Sequence, residues 1–205
     1  MLYRNTIHPD TFSLLKELQQ NPALGDCPLA GGTALALQLG HRISLDLDFF
    51  SSRDLNLNEI KKVFESYPTA MELATSKNIL TWSINDVKVD VVNYTYPTLR
   101  PLIENGGIVL YSMEDIAAMK LEAIKGRGRK RDFYDLYFLL KKFDLAKMLQ
   151  FNKEKYNRSN MFMVIKSMTF FEDANTDPDV MVPKDTEKVD WELVKKEIIK
   201  AVKSI

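Results

Sequence analysis

A chain of 205 residues, 45% hydrophobic and 27% charged, has apolar material for a substantial core and the balance of an ordinary globular protein. Lys plus Arg equals Asp plus Glu at 28 each, so no global charge advertises a polyanion partner, and any nucleic-acid surface must be local. One cysteine, Cys27, excludes a disulfide framework and a cysteine zinc cluster; with no signal-like N-terminus and no apolar run near the roughly 20 residues that span a bilayer, the chain reads as cytoplasmic, without a membrane partner.

Pro9 and Asp10 open a first helix, with Phe12, Leu14, Leu15 and Leu18 as its apolar stripe; Asn21, Pro22 and Gly25 end it. The stretch LAGGTALALQLGHRISLDLDFFS, residues 29–51, then carries the strongest chemical signal. Gly31, Gly32 and Thr33 precede an apolar helical segment, and a glycine helix start offers phosphate close backbone approach, free N–H groups and a positive dipole end. The unit closes on a short strand. Strand side chains alternate, so Asp46 and Asp48 project together while Leu45, Leu47 and Phe49 face a core. Neighbouring carboxylates repel unless a cation sits between them, and an oxygen-loving divalent ion commonly brings phosphate with it. Singly, the glycines read equally well as a tight turn and Asp-x-Asp as a solvated edge; together they point to a nucleotide–metal site. Phosphatases of the haloacid dehalogenase type also carry Asp-x-Asp at a strand end, but usually near the start of the chain and without a preceding glycine helix.

Residues 58–66 form a helix with Ile60, Val63 and Phe64 inward. MELATSK, ILTWSIND and VKVDVVNYTY have strand texture, with Asn85-Asp86 as a hairpin turn. In the last of them Val87, Val89 and Val91 face one way, and Lys88 and Asp90 the other. Without the first motif an exposed Lys–Asp pair is the better explanation; if the two strands are neighbours, Asp46, Asp48 and Asp90 converge on one metal centre. Pro97, Pro101 and the turn Asn105-Gly106-Gly107 mark a change of organisation near residues 97–110.

Beyond it the chain is helical. Ser112 and Asp115 resemble a capping box, and the helix they open puts Met113, Ile116, Ala117, Leu121 and Ile124 on one side. Lys120 falls in the middle of that side; it either snorkels out along its stem or reaches into a cleft to meet phosphate. GRGRKRD, residues 126–132, follows Lys125 and reads as a mobile positive loop suited to phosphate or RNA backbone, or simply as a solvated one. The next helix packs Phe133, Leu136, Tyr137, Leu139 and Leu140, while cap and dipole account for Asp132 and Asp135 in its first turn. Short helices fill residues 144–171, residues 172–190 form a loop, and residues 191–202 a last amphipathic helix. The division expected is a core over 1–108 that carries the candidate site and a helical part over 109–205.

GGTALAL, HRISLDLDFF, KVD and EDIAAMKLEAIKGRGRKRDFYDLYFLL, in that order, resemble the successive motifs of the AbiEii/AbiGii nucleotidyltransferase toxins, bacterial abortive-infection and toxin–antitoxin enzymes of the DNA polymerase β-like superfamily. The resemblance runs from residue 7 to the final helix. It implies an α/β (α+β) fold, a small mixed sheet with flanking helices followed by a helical part, and transfer of NMP from an NTP with Mg²⁺ or Mn²⁺. It makes Gly31, Gly32 and Thr33 the triphosphate turn, Asp46, Asp48 and Asp90 the metal-binding catalytic carboxylates, and Lys88, Lys120 and Asp132 nucleotide-site residues. Two departures stand out: Gly32-Thr33 replaces a commoner Gly-Ser, and the spacing from it to Asp46 is slightly long. The basic cluster of Lys125, Arg127, Arg129, Lys130 and Arg131 makes RNA, most of all a tRNA end, the expected acceptor, and a cognate antitoxin a further partner. The alternative function is a weakly catalytic nucleotide- or RNA-binding regulator on the same scaffold.

Overall fold

A computed structural model describes residues 1–205 apart from Asp26 and Glu187. Its centre is a mixed four-stranded sheet of β1 (Leu47–Ser51), β2 (Met71–Thr75), β3 (Ile79–Ile84) and β4 (Val87–Asn93), in the order β1-β4-β3-β2. β1 and β4 run parallel; the other pairs are antiparallel. Asn85 and Asp86, the expected turn, both take left-handed backbone, φ 51° and 61°, as a two-residue hairpin compatible with strand twist demands. Leu47, Phe49, Val89 and Val91 are fully buried on one face, leaving Asp48 and Asp90 on the other. Leu45, expected beside Leu47 and Phe49, precedes the strand and is 54% exposed, because the alternation begins only where β4 supplies a partner.

Three helices flank the sheet: α1 (Pro9–Gln20), α2 (Gly31–Leu39) and α3 (Leu57–Glu65), the last capped by the Asn56 side chain. β5 (Ile103–Asn105) and β6 (Ile108–Leu110) form a small hairpin whose turn glycines, Gly106 and Gly107, have φ 63° and 83°. This hairpin helps place the site. Leu29 bridges both Phe49 of β1 and Leu110 of β6, and Ala30 N–H donates to the Asp48 carbonyl at 2.7 Å. The start of α2 is thereby stitched to the strand that carries the carboxylates.

The remainder is helical: α4 (Met113–Gly126), α5 (Lys130–Leu140), α6 (Leu145–Lys155), α7 (Phe162–Ser167), the four-residue α8 (Glu172–Asn175) and α9 (Trp191–Lys203). The expected loop 126–132 shrinks to residues 127–129, since Lys130 already begins α5. The stretch read as loop, 172–190, opens with α8. Among the described residues no helix is long and apolar enough to cross a membrane.

Ser112 caps α4 as expected, accepting from Asp115 N–H at 3.1 Å, but Asp115 does far more than complete a box. Its fully buried carboxylate accepts from Leu99 N–H at 2.8 Å, Arg100 N–H at 3.2 Å, the Ser112 hydroxyl at 2.7 Å and Lys155 Nζ at 2.7 Å. Lys155, equally buried, also donates to the Pro97 carbonyl at 2.8 Å. One ion pair thus fastens the segment after β4 to α4 and α6. Removing one partner strands the other charge in a dry site, so Asp115→Ala should lower stability by about 3–5 kcal/mol. Urea denaturation followed by circular dichroism checks it; a loss under 1 kcal/mol contradicts the role given to the pair.

Candidate active site

The parallel register puts Asp48 directly opposite Asp90. Burial first, and then the Asp90 charge beside it, push the Asp48 carboxyl above its ordinary value; Lys120 and Lys88 pull it back only in part. Asp46, one residue before β1, accepts from Arg131 Nη1 through its Oδ2 at 3.0 Å, and Asp90 Oδ2 accepts from Lys88 Nζ. Asp90 Oδ1 is buried without a hydrogen-bond partner among the described residues. The expected convergence is therefore incomplete: among the described residues no three His, Cys, Asp or Glu groups gather into a metal cage, because Asp46 turns to Arg131 and Asp90 to Lys88.

The glycines face these carboxylates. Gly31 has φ +65°, and a Cβ there would lie 2.2 Å from Asp48 Oδ2. A Cβ on Gly32 would lie 2.0 Å from an Arg42 guanidinium nitrogen. Both positions must be glycine for reasons of space, and Gly31 for its backbone as well. No hydrogen bond within the described residues engages the backbone N–H groups of Gly31, Gly32 and Thr33, which point out of the start of α2. Thr33 corrects the expectation for its side chain: the hydroxyl is buried, donates to the Asp46 carbonyl and lies 2.8 Å from Ser44 Oγ. It aligns the carboxylate segment and does not face the open cleft.

Opposite lies a buried charge network. Asp135 Oδ1 and Oδ2 accept Arg42 Nε at 2.6 Å and Nη2 at 3.0 Å as a fork; His41 Nε2 adds a bond at 2.7 Å and Lys120 Nζ one at 2.6 Å. Lys120 also donates to Asp132 Oδ1 at 2.8 Å, and Arg127 Nε stands 3.5 Å from Asp132 Oδ2. Asp132 and Asp135 are fully buried despite their place in the first turn of α5, so neither is a simple capping residue. Against burial, Arg42 and Lys120 hold Asp135 well below the ordinary carboxylate range, and Lys120, also against burial, lowers Asp132. Lys120 does not snorkel: its side chain is 7% exposed and borders the cleft. Two carboxylates face three cations here, leaving positive charge towards the cleft.

That cleft is lined by Gly31, Gly32, Asp46, Asp48, Arg42 and Lys120 on its polar side. The family model for the nucleotidyl transferase AbiEii toxin of type IV toxin–antitoxin systems matches residues 13–204. The chain belongs to the AbiEii nucleotidyltransferase toxin family. An uncharacterized Aquifex aeolicus protein is 37% identical over 166 residues, 77% of this chain and 81% of the relative. The fold is similar to that of MenT4, a nucleotidyltransferase toxin of Mycobacterium tuberculosis, with TM-score 0.65, 16% identity and coverage of 96% and 82% of the two chains. JHP933 of Helicobacter pylori superposes with TM-score 0.57, 19% identity and coverage of 95% and 88%.

In this AbiEii-family transferase the basic cluster is not a free loop. Lys130 is buried, donating to the Asp177 carbonyl at 2.6 Å, and Arg129 Nη1 meets Asp177 Oδ1 at 2.9 Å. Arg131 lies on Asp46 and Arg127 beside Asp132; these two also line the cleft. Lys125 pairs with Glu122. Lys130 is therefore structural, since its ammonium is committed to the Asp177 carbonyl and stands 3.5 Å from Asp179 Oδ1. Sequence reasoning missed Arg42 and His41. Their signal was a charged, hydrogen-bonding pair inside an apolar stretch just before the carboxylates.

Burial lowers His41 below its ordinary 6.5 even though Asp135 favours its charged form. The native state thus binds fewer protons than the unfolded chain, and stability is full above pH 6.5 and falls as pH drops below it. Asp132 and Asp135 extend the loss below their ordinary 3.8. Thermal unfolding between pH 7.5 and 5 should lose at most about 1.4 kcal/mol per pH unit from His41. His41→Gln should flatten that limb; an unchanged slope contradicts a neutral buried His41.

Proposed function

We propose that the chain is a metal-dependent nucleotidyltransferase moving NMP from an NTP to RNA, the end of a tRNA foremost, and that it acts in the cytoplasm as a toxin with a cognate antitoxin. The observation that carries this reading is the pairing of Asp48 with Asp90 on adjacent strands, beside the unengaged N-terminus of α2 and across the cleft from Lys120. The donor set fits a hard divalent cation: oxygen ligands, an orphaned Asp90 Oδ1, and a carboxylate that burial and repulsion drive towards its neutral form. Asp46, Asp48 and Asp90 would hold Mg²⁺ or Mn²⁺. When bound, the cation would acidify the acceptor hydroxyl and offset charge on departing pyrophosphate.

The chain's own groups supply the remainder. Gly31 and Gly32 N–H groups, Lys120, Arg42, Arg127 and Arg131 hold the triphosphate. The acceptor oxygen bonds to the α-phosphorus while the bond from that phosphorus to the bridging β-phosphate oxygen breaks, and pyrophosphate leaves. The hydroxyl proton passes to Asp90, which Lys88 keeps oriented. A second groove, lined by Lys88, Arg127, Arg129 and Arg131, shares Asp46 and Arg131 with the cleft, and supports an RNA acceptor reaching the same carboxylates.

Incubation with each α-labelled NTP, Mg²⁺ or Mn²⁺, and total tRNA should label RNA. Asp48→Asn should abolish the label while leaving the melting temperature unchanged or raised, because the neutral isostere relieves repulsion. Full activity in that variant contradicts the carboxylate assignment, and a labelled protein with unlabelled RNA contradicts the acceptor. Salt titration separates the two grooves. Arg129→Ala should reduce the slope of log affinity for RNA against log salt by about 0.7 while sparing NTP binding, whereas Arg131→Ala should weaken both. Equal losses for NTP and RNA in Arg129→Ala contradict the second groove.

A further inference from the structure

The polar side of the cleft leaves its other end unexplained. There Phe50, Tyr94, Tyr96 and Tyr156 face Met119 and Glu122 of α4. The four rings form a continuous series: Phe50 and Tyr94 have centroids 4.9 Å apart, Tyr94 and Tyr96 5.0 Å, Tyr96 and Tyr156 4.7 Å. The last two contacts are near-perpendicular, at 62° and 72°, so Tyr96 is braced from two sides without a parallel ring on it among the described residues. Tyr94 and Tyr156 hydroxyls are spent on each other. Tyr96 nevertheless remains 42% exposed, a large ring flanked by two others in the lining of a charged cleft. Packing alone does not account for such a ring, whereas flat aromatic ligands gain from it.

Glu122 stands on the same wall. Arg158 clamps its two oxygens at 2.8 Å each, and Lys125 Nζ lies 2.7 Å from one oxygen and 3.0 Å from the other. Against burial, these partners keep the carboxylate ionised, hence acceptor-only, on the wall of the cleft.

We propose that this aromatic end is the nucleobase subsite, with Tyr96 as the stacking platform and Glu122 as an anionic acceptor for an exocyclic amine. The inference rests on the nucleotidyltransferase reading above and adds a specificity to it. Adenine, cytosine and guanine each offer an amino group to Glu122. Uracil offers one ring N–H flanked by two carbonyl oxygens, which meet the carboxylate with repulsion. ATP, CTP and GTP are therefore preferred over UTP.

Equilibrium binding of the four NTPs and of inorganic tripolyphosphate, in Mg²⁺ buffer, to the full chain tests this. Tyr96→Ala should weaken all NTPs about 5- to 150-fold, the worth of one base–aromatic stack, and leave tripolyphosphate within twofold. Tyr96→Phe should bind as the parent does. Glu122→Gln should narrow the gap between UTP and the other NTPs without moving tripolyphosphate. NTP binding unchanged in Tyr96→Ala, or equal loss of NTP and tripolyphosphate, overturns the subsite. A parent chain that binds UTP as tightly as the rest overturns the role of Glu122. One that binds neither NTP nor tripolyphosphate overturns the nucleotidyltransferase reading itself, and this inference with it.

Discussion

Asp135 is the charge on which the arrangement of the cleft depends. A carboxylate with no exposure survives in the interior because Arg42, His41 and Lys120 together consume its acceptor capacity. The partners come from two distant parts of the chain: Arg42 and His41 from the segment after α2, Lys120 from α4. One buried group therefore fixes how the carboxylate-bearing sheet and the helical part stand to each other. Burial makes the arrangement demanding, since loss of any partner leaves uncompensated charge in a dry site. Arg42 adds a second constraint, because its guanidinium fills the space a side chain at Gly32 would occupy.

This frame explains how a chain of zero net charge presents a polarised cleft. Carboxylates line the sheet side, and cations fixed by buried acids line the helical side. Charges held in advance by a rigid environment stabilise a charged reaction without reorganising during it. Arg131 on Asp46 and Lys88 on Asp90 are the exposed counterparts of the same logic, with side-chain exposures of 48% and 42%. Exposed pairs of this kind are weak and can exchange partners, unlike the Asp135 network.

Much of this was legible from local sequence. The glycine start of α2, the alternation in β1 and β4, the Asn85-Asp86 turn and the unusual position of Lys120 each follow from short-range rules, and each stands in the fold. What local rules lacked was pairing. The opposition of Asp48 and Asp90 depends on a parallel register between strands about forty residues apart, with a hairpin intervening. Asp135 sits where a helix dipole would explain it, so its buried role emerged only with Arg42 beside it. The basic cluster was misread as free because Asp177, its partner, lies 48 residues beyond Arg129 in a stretch with no strong pattern of its own. Tyr96 gave no signal, since an aromatic residue at a strand exit is as often core as platform.

The most direct test of the central claim follows the fate of each phosphate. The chain, Mg²⁺ and an RNA acceptor are incubated in parallel with α-labelled and γ-labelled NTP, and label is followed in RNA and in small-molecule product. A nucleotidyltransferase leaves the α-label in the RNA and releases the γ-label as pyrophosphate, one per NMP transferred. Transfer of the γ-label to RNA, or release of free orthophosphate without NMP incorporation, contradicts the account.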